Sequence, residues 1–205
     1  MPSDAPAILY IHGFNSSPQS YKARVLADCL ARHGQAGRWR APALENEPLR
    51  AIARLEAAIA ELGRPLLVGS SLGGYYATYL AERHRLRALL INPAVLPHTR
   101  FEGYLGPQTN HHTGERWVLT ERHVAEIATL EVAPPADPER FHVWLQTGDE
   151  TLDYRDALAF YRGCTLHVEP GGDHSFQGFD RRLPDVLTLA GYDPAAWQDA
   201  ALLDS

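Results

Sequence analysis

Short apolar runs alternate with helical patterns along most of this sequence. The runs are nearly uninterrupted rather than polar at every second residue, which is typical of parallel strands covered by helices on both faces. This rhythm predicts right-handed crossovers and a doubly wound, mostly parallel α/β sheet, with ligands at the carboxyl ends of the strands. The six predicted strands are residues 7–11, 39–44, 65–68, 88–91, 141–146 and 165–168.

The intervening segments show the apolar spacing of helices. Pro48 is expected in the first turn of a helix that stops at Gly63, because proline suits a helix start and glycine the position after its end. Residues 19–33 place apolar side chains on one face and end at Gly34. Further helices are predicted at residues 72–84, 154–161 and 181–190.

One long segment departs from this rhythm. Residues 93–140 contain six prolines and no long helical pattern. Compact domains seldom carry such a connection without a use, so we expect a small cap or a substrate-binding segment here. The alternative is an ordinary surface excursion with a short helix near residues 120–129.

Length and composition indicate one globular domain spanning residues 1–205. A chain of 205 residues can bury a core without disulfides or a metal. The net charge of −6 opposes binding to nucleic-acid phosphates. The first apolar run is too short for a signal peptide or a membrane span. Cys29 and Cys164 form no paired motif, so a cytoplasmic protein without membrane insertion is expected.

The sequence Gly-Ser-Ser-Leu-Gly at residues 69–73 lies between the third predicted strand and the helix that follows it. A direct turn from strand to helix strains the backbone at the central serine, so small residues are needed two positions before and after it. Ser71 is therefore expected to project from the turn as a nucleophile, with the helix N-terminus helping to stabilise negative charge. The alternative is a glycine-rich turn placed for packing.

A serine nucleophile needs a base, and the base needs a carboxylate that orients it. With this motif the chain order is serine, then the acid, then histidine, each in a loop after a strand. His174 follows the last predicted strand and is the expected base, its alternative being a solvated loop histidine. Asp149 is the preferred acid because it lies nearest the end of the fifth strand. Asp153, in the same loop, fits better as a helix N-cap but stays a candidate.

Two backbone amides are expected to form an oxyanion hole. One belongs to Leu72, the residue after the nucleophile, and the other to Phe14 in the loop after the first strand. Gly13 of that loop lets the backbone approach the substrate. His12 also borders the substrate in this interpretation, and it braces the loop rather than acting as a second base.

Several aromatic side chains are candidates for the substrate pocket. Phe176 follows the expected base closely, and core packing is an equal alternative for the two tyrosines of the nucleophile helix. The aromatic residues considered are Tyr75, Tyr76, Tyr104, Trp117 and Phe176. No metal is expected, because the adjacent histidines at 111 and 112 point apart in regular structure and lack a carboxylate at ligand spacing.

Longer motifs carry a resemblance to a known family. They are LYIHGFNSSPQSYKA at 9–23, VGSSLGGYYATYLAE at 68–82, NPAV at 92–95, YLG at 104–106, TGE at 113–115, TGDETLDYR at 147–155 and GGDHSFQGF at 171–179. Together they resemble the YqiA-type esterases, which are small bacterial α/β-hydrolases. The resemblance implies an α/β-hydrolase fold and a cytoplasmic serine esterase, with Ser71, Asp149 and His174 at the family's catalytic positions.

The expected reaction is hydrolysis of a small-molecule acyl ester through an acyl-enzyme, without a cofactor. Within enzymes, the alternatives are an acyl-CoA thioesterase and an acyltransferase that uses the same three residues. A non-catalytic binding protein with a hydrolase fold is the alternative from another class. The expected oligomeric state is a monomer or a weak dimer.

Overall fold

A computed structural model describes residues 6–193 of the chain. Six strands in this range pair in parallel in the order β2-β1-β3-β4-β7-β8, and β5 and β6 form a separate antiparallel hairpin. The strands are β1 Ile8–Ile11, β2 Trp39–Arg40, β3 Leu66–Ser70, β4 Ala88–Ile91, β5 Gly106–Thr109, β6 Arg116–Leu119, β7 Phe141–Gln146 and β8 Thr165–Glu169. The predicted six-stranded parallel sheet is therefore confirmed.

Seven α-helices in the same range connect and cover the strands. They are α1 Tyr21–Arg32, α2 Pro48–Leu62, α3 Leu72–His84, α4 His98–Phe101, α5 Glu121–Ala128, α6 Tyr154–Phe160 and α7 Leu183–Ala190. The predicted start of α2 at Pro48 and the bounds of α3 agree with the structure. The C-terminal helix begins at Leu183 rather than at 181, after a short 3₁₀ turn over Phe179–Arg182.

The uninterrupted apolar character of the central strands follows from two cores, one on each face of the sheet. Along β1, Leu9 and Ile11 enter a core with α2, α3 and α6, while Ile8 and Tyr10 enter a second core with α1 and α7. Because successive side chains of a strand point to opposite faces, both sets are buried and every position is apolar.

The two edge strands differ from their predictions. The predicted second strand reaches residue 44, but β2 pairs only over Trp39–Arg40. Beyond it the chain leaves β1, and the amide of Leu44 donates to Nε2 of His12 instead. On the other edge, Leu166 and Val168 of β8 are exposed because no second layer covers that strand there. The apolar sequence of β8 therefore predicts more burial than this strand has in the structure.

Residues 93–140 contain α4, the β5–β6 hairpin and α5, which includes the short helix predicted near 120–129. The hairpin is attached to the loop that follows β1. Nε1 of Trp117 donates to Oδ1 of Asn15 at 2.8 Å, Nδ2 of Asn110 donates to the Ser16 carbonyl at 2.8 Å, and the His111 amide donates to the Asn15 carbonyl. The segment therefore lies against the carboxyl edge of the sheet.

Candidate active site

Ser71 occupies the sharp turn between β3 and α3. Its backbone lies at φ 57° and ψ −123°, a conformation that L-residues seldom adopt. The flanking glycines make the turn possible. A Cβ at Gly69 would lie 2.3 Å from the Gly73 carbonyl oxygen, and one at Gly73 would lie 2.0 Å from the carbonyl oxygen of Ile11. The steric argument for small residues on both sides of Ser71 therefore holds.

Three side chains from three separate loops form a hydrogen-bonded chain at the edge of the sheet. Oγ of Ser71 lies 3.0 Å from Nε2 of His174, and Nδ1 of His174 lies 2.8 Å from Oδ2 of Asp149. With the ring proton on Nδ1, Nε2 is free to accept the serine hydroxyl. The structure thus brings together the serine, histidine and aspartate that the motifs single out.

The carboxylate of Asp149 is held by its own loop. Oδ1 accepts the amides of Thr151 at 2.9 Å and Leu152 at 2.8 Å, and only 2% of the side chain is exposed. Asp153, the other candidate acid, points away. It caps α6 by accepting the amide of Arg155, and its side chain is exposed to solvent. Asp149 is therefore the acid that faces the histidine.

The loop that carries His174 is clamped from several sides. Nδ2 of Asn92 donates to the carbonyl oxygens of Asp173 and His174, while Oε1 of Gln146 accepts the Asp173 amide at 3.1 Å. Oε2 of Glu150 accepts the amide of His174 at 3.0 Å. These bonds fix the backbone on both sides of the imidazole, so its orientation does not depend on Asp149 alone.

Two amides lie beside Ser71 without an acceptor. Within residues 6–193, neither the Phe14 amide nor the Leu72 amide donates to a protein oxygen. The loop that carries Phe14 touches Ser71, because a Cβ at Gly13 would lie 3.2 Å from Cβ of Ser71. Leu72 begins α3, where helix amides are unpaired and the helix dipole is positive. Both amides therefore remain available to an oxygen of a bound molecule.

A cavity of about 540 Å³ opens at Ser71 and His174. Its walls are mostly apolar, and residues 93–104 supply a large share of them. The rest of the lining comes from the loops after β1, β3, β7 and β8 and from His111 at the tip of the β5–β6 hairpin. Among the residues lining it are Phe14, Leu72, Ala94, Val95, Pro97, Phe101, Tyr104 and Leu152. A volume of this size suits a small organic ligand.

His12 lies outside this cavity. Its Nδ1 lies 3.0 Å from the Gly13 carbonyl and its Nε2 accepts the Leu44 amide, so both ring nitrogens are occupied. Burial lowers the pKa of His12, which favours the neutral ring that this pairing requires. The side chain lines a separate space of about 40 Å³ behind the loop. The expectation that His12 borders the substrate is corrected, and it braces the loop.

Four of the five aromatic residues considered for the pocket also lie elsewhere. Tyr76 is buried in the core. Tyr75 is buried in the core and its hydroxyl donates to the Ile127 carbonyl. Phe176 is buried on the opposite face of the sheet, stacked on Trp144 at 6.0 Å. Trp117 borders the small space behind His12. These side chains fill gaps between layers, so of the aromatic residues considered only Tyr104 lines the large cavity.

Sequence reasoning missed most of the cavity wall and the residues that clamp the His174 loop. Asn92 belongs to the NPAV motif and is buried beside the strand end, with φ 41°. An asparagine directly after an apolar strand was the available signal in the sequence. The wall residues Val95, Pro97 and Phe101 carry no such signal, because apolar residues in a loop look the same in sequence whether they line a cavity or pack.

No helix of residues 6–193 is long and apolar enough to cross a bilayer. In the same range, no group of three or more histidine, cysteine, aspartate or glutamate side chains is arranged to hold a metal ion.

Solved structures with a similar fold cover nearly all of the chain. Est1E from Butyrivibrio proteoclasticus superposes with a TM-score of 0.67 at 15% identity, over 92% of this chain and 86% of its own. Mouse alpha/beta hydrolase domain-containing protein 10 superposes with a TM-score of 0.70 at 14% identity, over 92% of each chain. At such identities the similarity shows the fold, which is the α/β-hydrolase fold.

The sequence itself also matches a protein-family model. The family model described as "Uncharacterised protein family (UPF0227)" matches residues 7–191, which is most of the chain. The motifs quoted above fall within that range, as do the serine, histidine and aspartate at the sheet edge. The chain therefore belongs to this family, the YqiA family of esterases.

Proposed function

We propose that this protein is a serine esterase that hydrolyses acyl esters through an acyl-enzyme. Ser71 attacks the ester carbonyl while His174 takes the hydroxyl proton. The tetrahedral oxygen accepts the amides of Phe14 and Leu72. His174 then returns the proton to the leaving alcohol, and water repeats the sequence in reverse to release the acid. Asp149 holds the ring proton on Nδ1 and stabilises the imidazolium.

The observation that carries this proposal is the hydrogen-bonded chain of Ser71, His174 and Asp149. Both distances, 3.0 Å and 2.8 Å, lie within hydrogen-bonding range. The positive φ of Ser71 adds to it, because a strained backbone at a residue with no packing role is characteristic of functional positions.

The mainly apolar cavity supports an acyl group as the part of the substrate bound beside the nucleophile. Residues 93–140 act as a cap in this proposal, since several of the cavity's walls come from them. No cofactor takes part in the reaction as written, because each proton moves between Ser71, His174, the leaving group and water.

The test is intact-protein mass spectrometry after incubation with a fluorophosphonate, which reacts only with an activated serine. One adduct per chain is expected for the wild type and none for Ser71→Ala, whose fold is checked by circular dichroism. A folded wild type that forms no adduct would contradict the proposal and favour a binding protein.

A substrate panel then separates the related reactions. Oxygen esters of increasing acyl length are compared with acyl-CoA, in the presence and absence of alcohol acceptors. An esterase turns over the oxygen esters and is insensitive to added alcohol. Higher turnover of acyl-CoA would indicate a thioesterase, and ester formation with the added alcohol an acyltransferase.

A further inference from the structure

A second cavity of about 340 Å³ also reaches the nucleophile. It shares Phe14, Ser71, His111 and His174 with the first cavity. Most of the rest of its wall comes from the loop after β1, the start of α1 and His112 at the tip of the β5–β6 hairpin, with smaller parts from β1, β3 and the loop after β8. Apolar atoms predominate in the lining of both cavities, but they differ in charge. The cation of the first cavity, Arg100, is paired with Asp156 at 2.6 Å, whereas the second cavity is lined by a lysine.

The charged and titratable side chains that line this second cavity are a lysine, three histidines and two tyrosines, without a carboxylate. This is unusual for a chain with a net charge of −6. The lysine is Lys22, the only one in the sequence. Asp173 and Asp180 act on Lys22 and Tyr21 from outside the lining.

Lys22 is buried, with 9% of the residue exposed. Its Nζ donates to the Ser175 carbonyl at 2.7 Å, and within residues 6–193 no carboxylate oxygen lies within 4 Å of it. An ammonium group has three donors, so two remain for a ligand. A buried cation without a close anion is costly unless something pairs with it.

The start of α1 adds to the positive electrostatic potential at the second cavity. Tyr21 and Lys22 open the helix, no acidic residue lies in its first turn and the side chain of Ser20 does not cap it. The free amides and the positive end of the helix dipole therefore favour an anion on the same side as Lys22.

We propose that the second cavity binds the leaving group of the substrate and selects alcohols or thiols that carry a carboxylate or a phosphate. The acyl group then occupies the first cavity, and the scissile carbonyl lies at Ser71 between them. This inference rests on the proposed esterase function and adds the substrate class that the site prefers.

Matched esters test it. The butanoyl ester of 4-hydroxybenzoate carries an anionic leaving group, and that of methyl 4-hydroxybenzoate is its neutral counterpart. The wild type is expected to favour the anionic ester in kcat/KM by about tenfold, the effect of one partly screened charge pair. A third ester, with a phosphate in place of the carboxylate, shows which anion fits better.

Three variants locate the effect. Lys22→Met removes the charge, and His112→Glu places a carboxylate on the rim of the second cavity. Each is expected to bring the ratio of the two kcat/KM values close to one. Tyr104→Glu places the same carboxylate on the first cavity and should leave the ratio within about twofold, since the leaving group is shielded from it. Using the ratio removes any common effect on the catalytic residues.

The outcomes separate this inference from the proposed function. If the neutral ester is hydrolysed and Ser71 forms its adduct, but the ratio is unchanged by both Lys22→Met and His112→Glu, the anionic subsite is wrong and the esterase stands. A larger loss of the ratio in Tyr104→Glu than in His112→Glu would place the leaving group in the first cavity and overturn the inference. If neither ester is hydrolysed and no adduct forms, the proposed function itself fails.

Discussion

Nδ1 of His174 faces a carboxylate of Asp149 that is almost wholly shielded from solvent. Because water does not compete for this hydrogen bond, the aspartate can hold one tautomer of the imidazole, with its proton on Nδ1. Asp149 also accepts two amides of its own loop, so the carboxylate is fixed before any substrate arrives.

Asp149→Asn is expected to lower kcat by about 10³- to 10⁴-fold, because an amide facing His174 stabilises the wrong tautomer. Oδ1 of the asparagine can still accept the amides of Thr151 and Leu152, so the melting temperature should change little. Steady-state rates with a short ester and a thermal melt provide the measurement. The matched control is Asp153→Asn, since asparagine caps a helix as well as aspartate. Retention of more than a tenth of the rate in Asp149→Asn would contradict the assignment.

Ser71→Gly should abolish hydrolysis and at the same time raise the free energy of unfolding, by about 1 kcal/mol relative to Ser71→Ala. Both substitutions remove the hydroxyl, but only glycine relieves the backbone strain at φ 57°. Urea unfolding of the two variants measures the difference. Equal stability, or a more stable alanine variant, would show that the turn stores no strain.

Val95→Phe should shift the acyl preference toward shorter chains, because Val95 lines the large cavity and the larger ring removes part of its volume. We expect the ratio of kcat/KM for octanoyl to acetyl esters to fall by about tenfold, the effect of losing contact with one or two methylenes. Val118→Phe is the control, since Val118 is exposed on β6 and does not line the cavity. An unchanged ratio in Val95→Phe would indicate that the acyl group binds somewhere other than the large cavity.

The preference for an anionic leaving group should decline as the pH rises through about 8. Burial lowers the pKa of Lys22 from 10.5 to about 8, so the charge is present below this pH and lost above it. Asp173 opposes this shift, and Tyr10, Tyr21 and three histidines line the same cavity as Lys22. Burial raises the pKa of Tyr10 to about 12, well above this range.

The measurement is the ratio of kcat/KM for the anionic and neutral hydroxybenzoate esters, taken over about three pH units centred on the pKa of Lys22, from about pH 6.5 to about 9.5. Taking the ratio cancels any effect of pH that is common to the hydrolysis of both esters. Lys22→Met should give a flat profile. A ratio that falls with pH in Lys22→Met as well would assign the effect to another group.

The sheet could be predicted from sequence because its signal is local. A central strand such as β4 is apolar throughout, and its predicted bounds agree with the structure. The predicted bounds of the edge strands were less accurate. Pairing at an edge depends on which other groups can bond to the backbone amides and carbonyls there. The chain leaves β1 after Arg40, Pro42 has no amide hydrogen to donate to a strand ladder, and the Leu44 amide donates to the His12 ring. Proline within an apolar run was the available signal that the strand would end early.

The positions of Ser71, Asp149 and His174 could be predicted because each follows a strand end and the chain order is fixed by the motif. The pocket could not. Tyr75 and Tyr104 are the same residue type, yet one donates to the Ile127 carbonyl in the core and the other lines the cavity. Only the folding of residues 93–140 over the sheet decides between them, and that depends on distant contacts such as the one between Trp117 and Asn15.

The strand ends that carry the site span most of the chain. Phe14 follows β1, Ser71 follows β3, Asp149 follows β7 and His174 follows β8, and these strands are not all adjacent in the sheet. A refolding chain therefore has no partial version of the site, because nonlocal strand pairing must be nearly complete before the four groups meet. Recovery of activity after dilution from denaturant should accordingly lag behind recovery of helical circular dichroism. The rate at which activity returns would then report when the last strand pairs with the sheet.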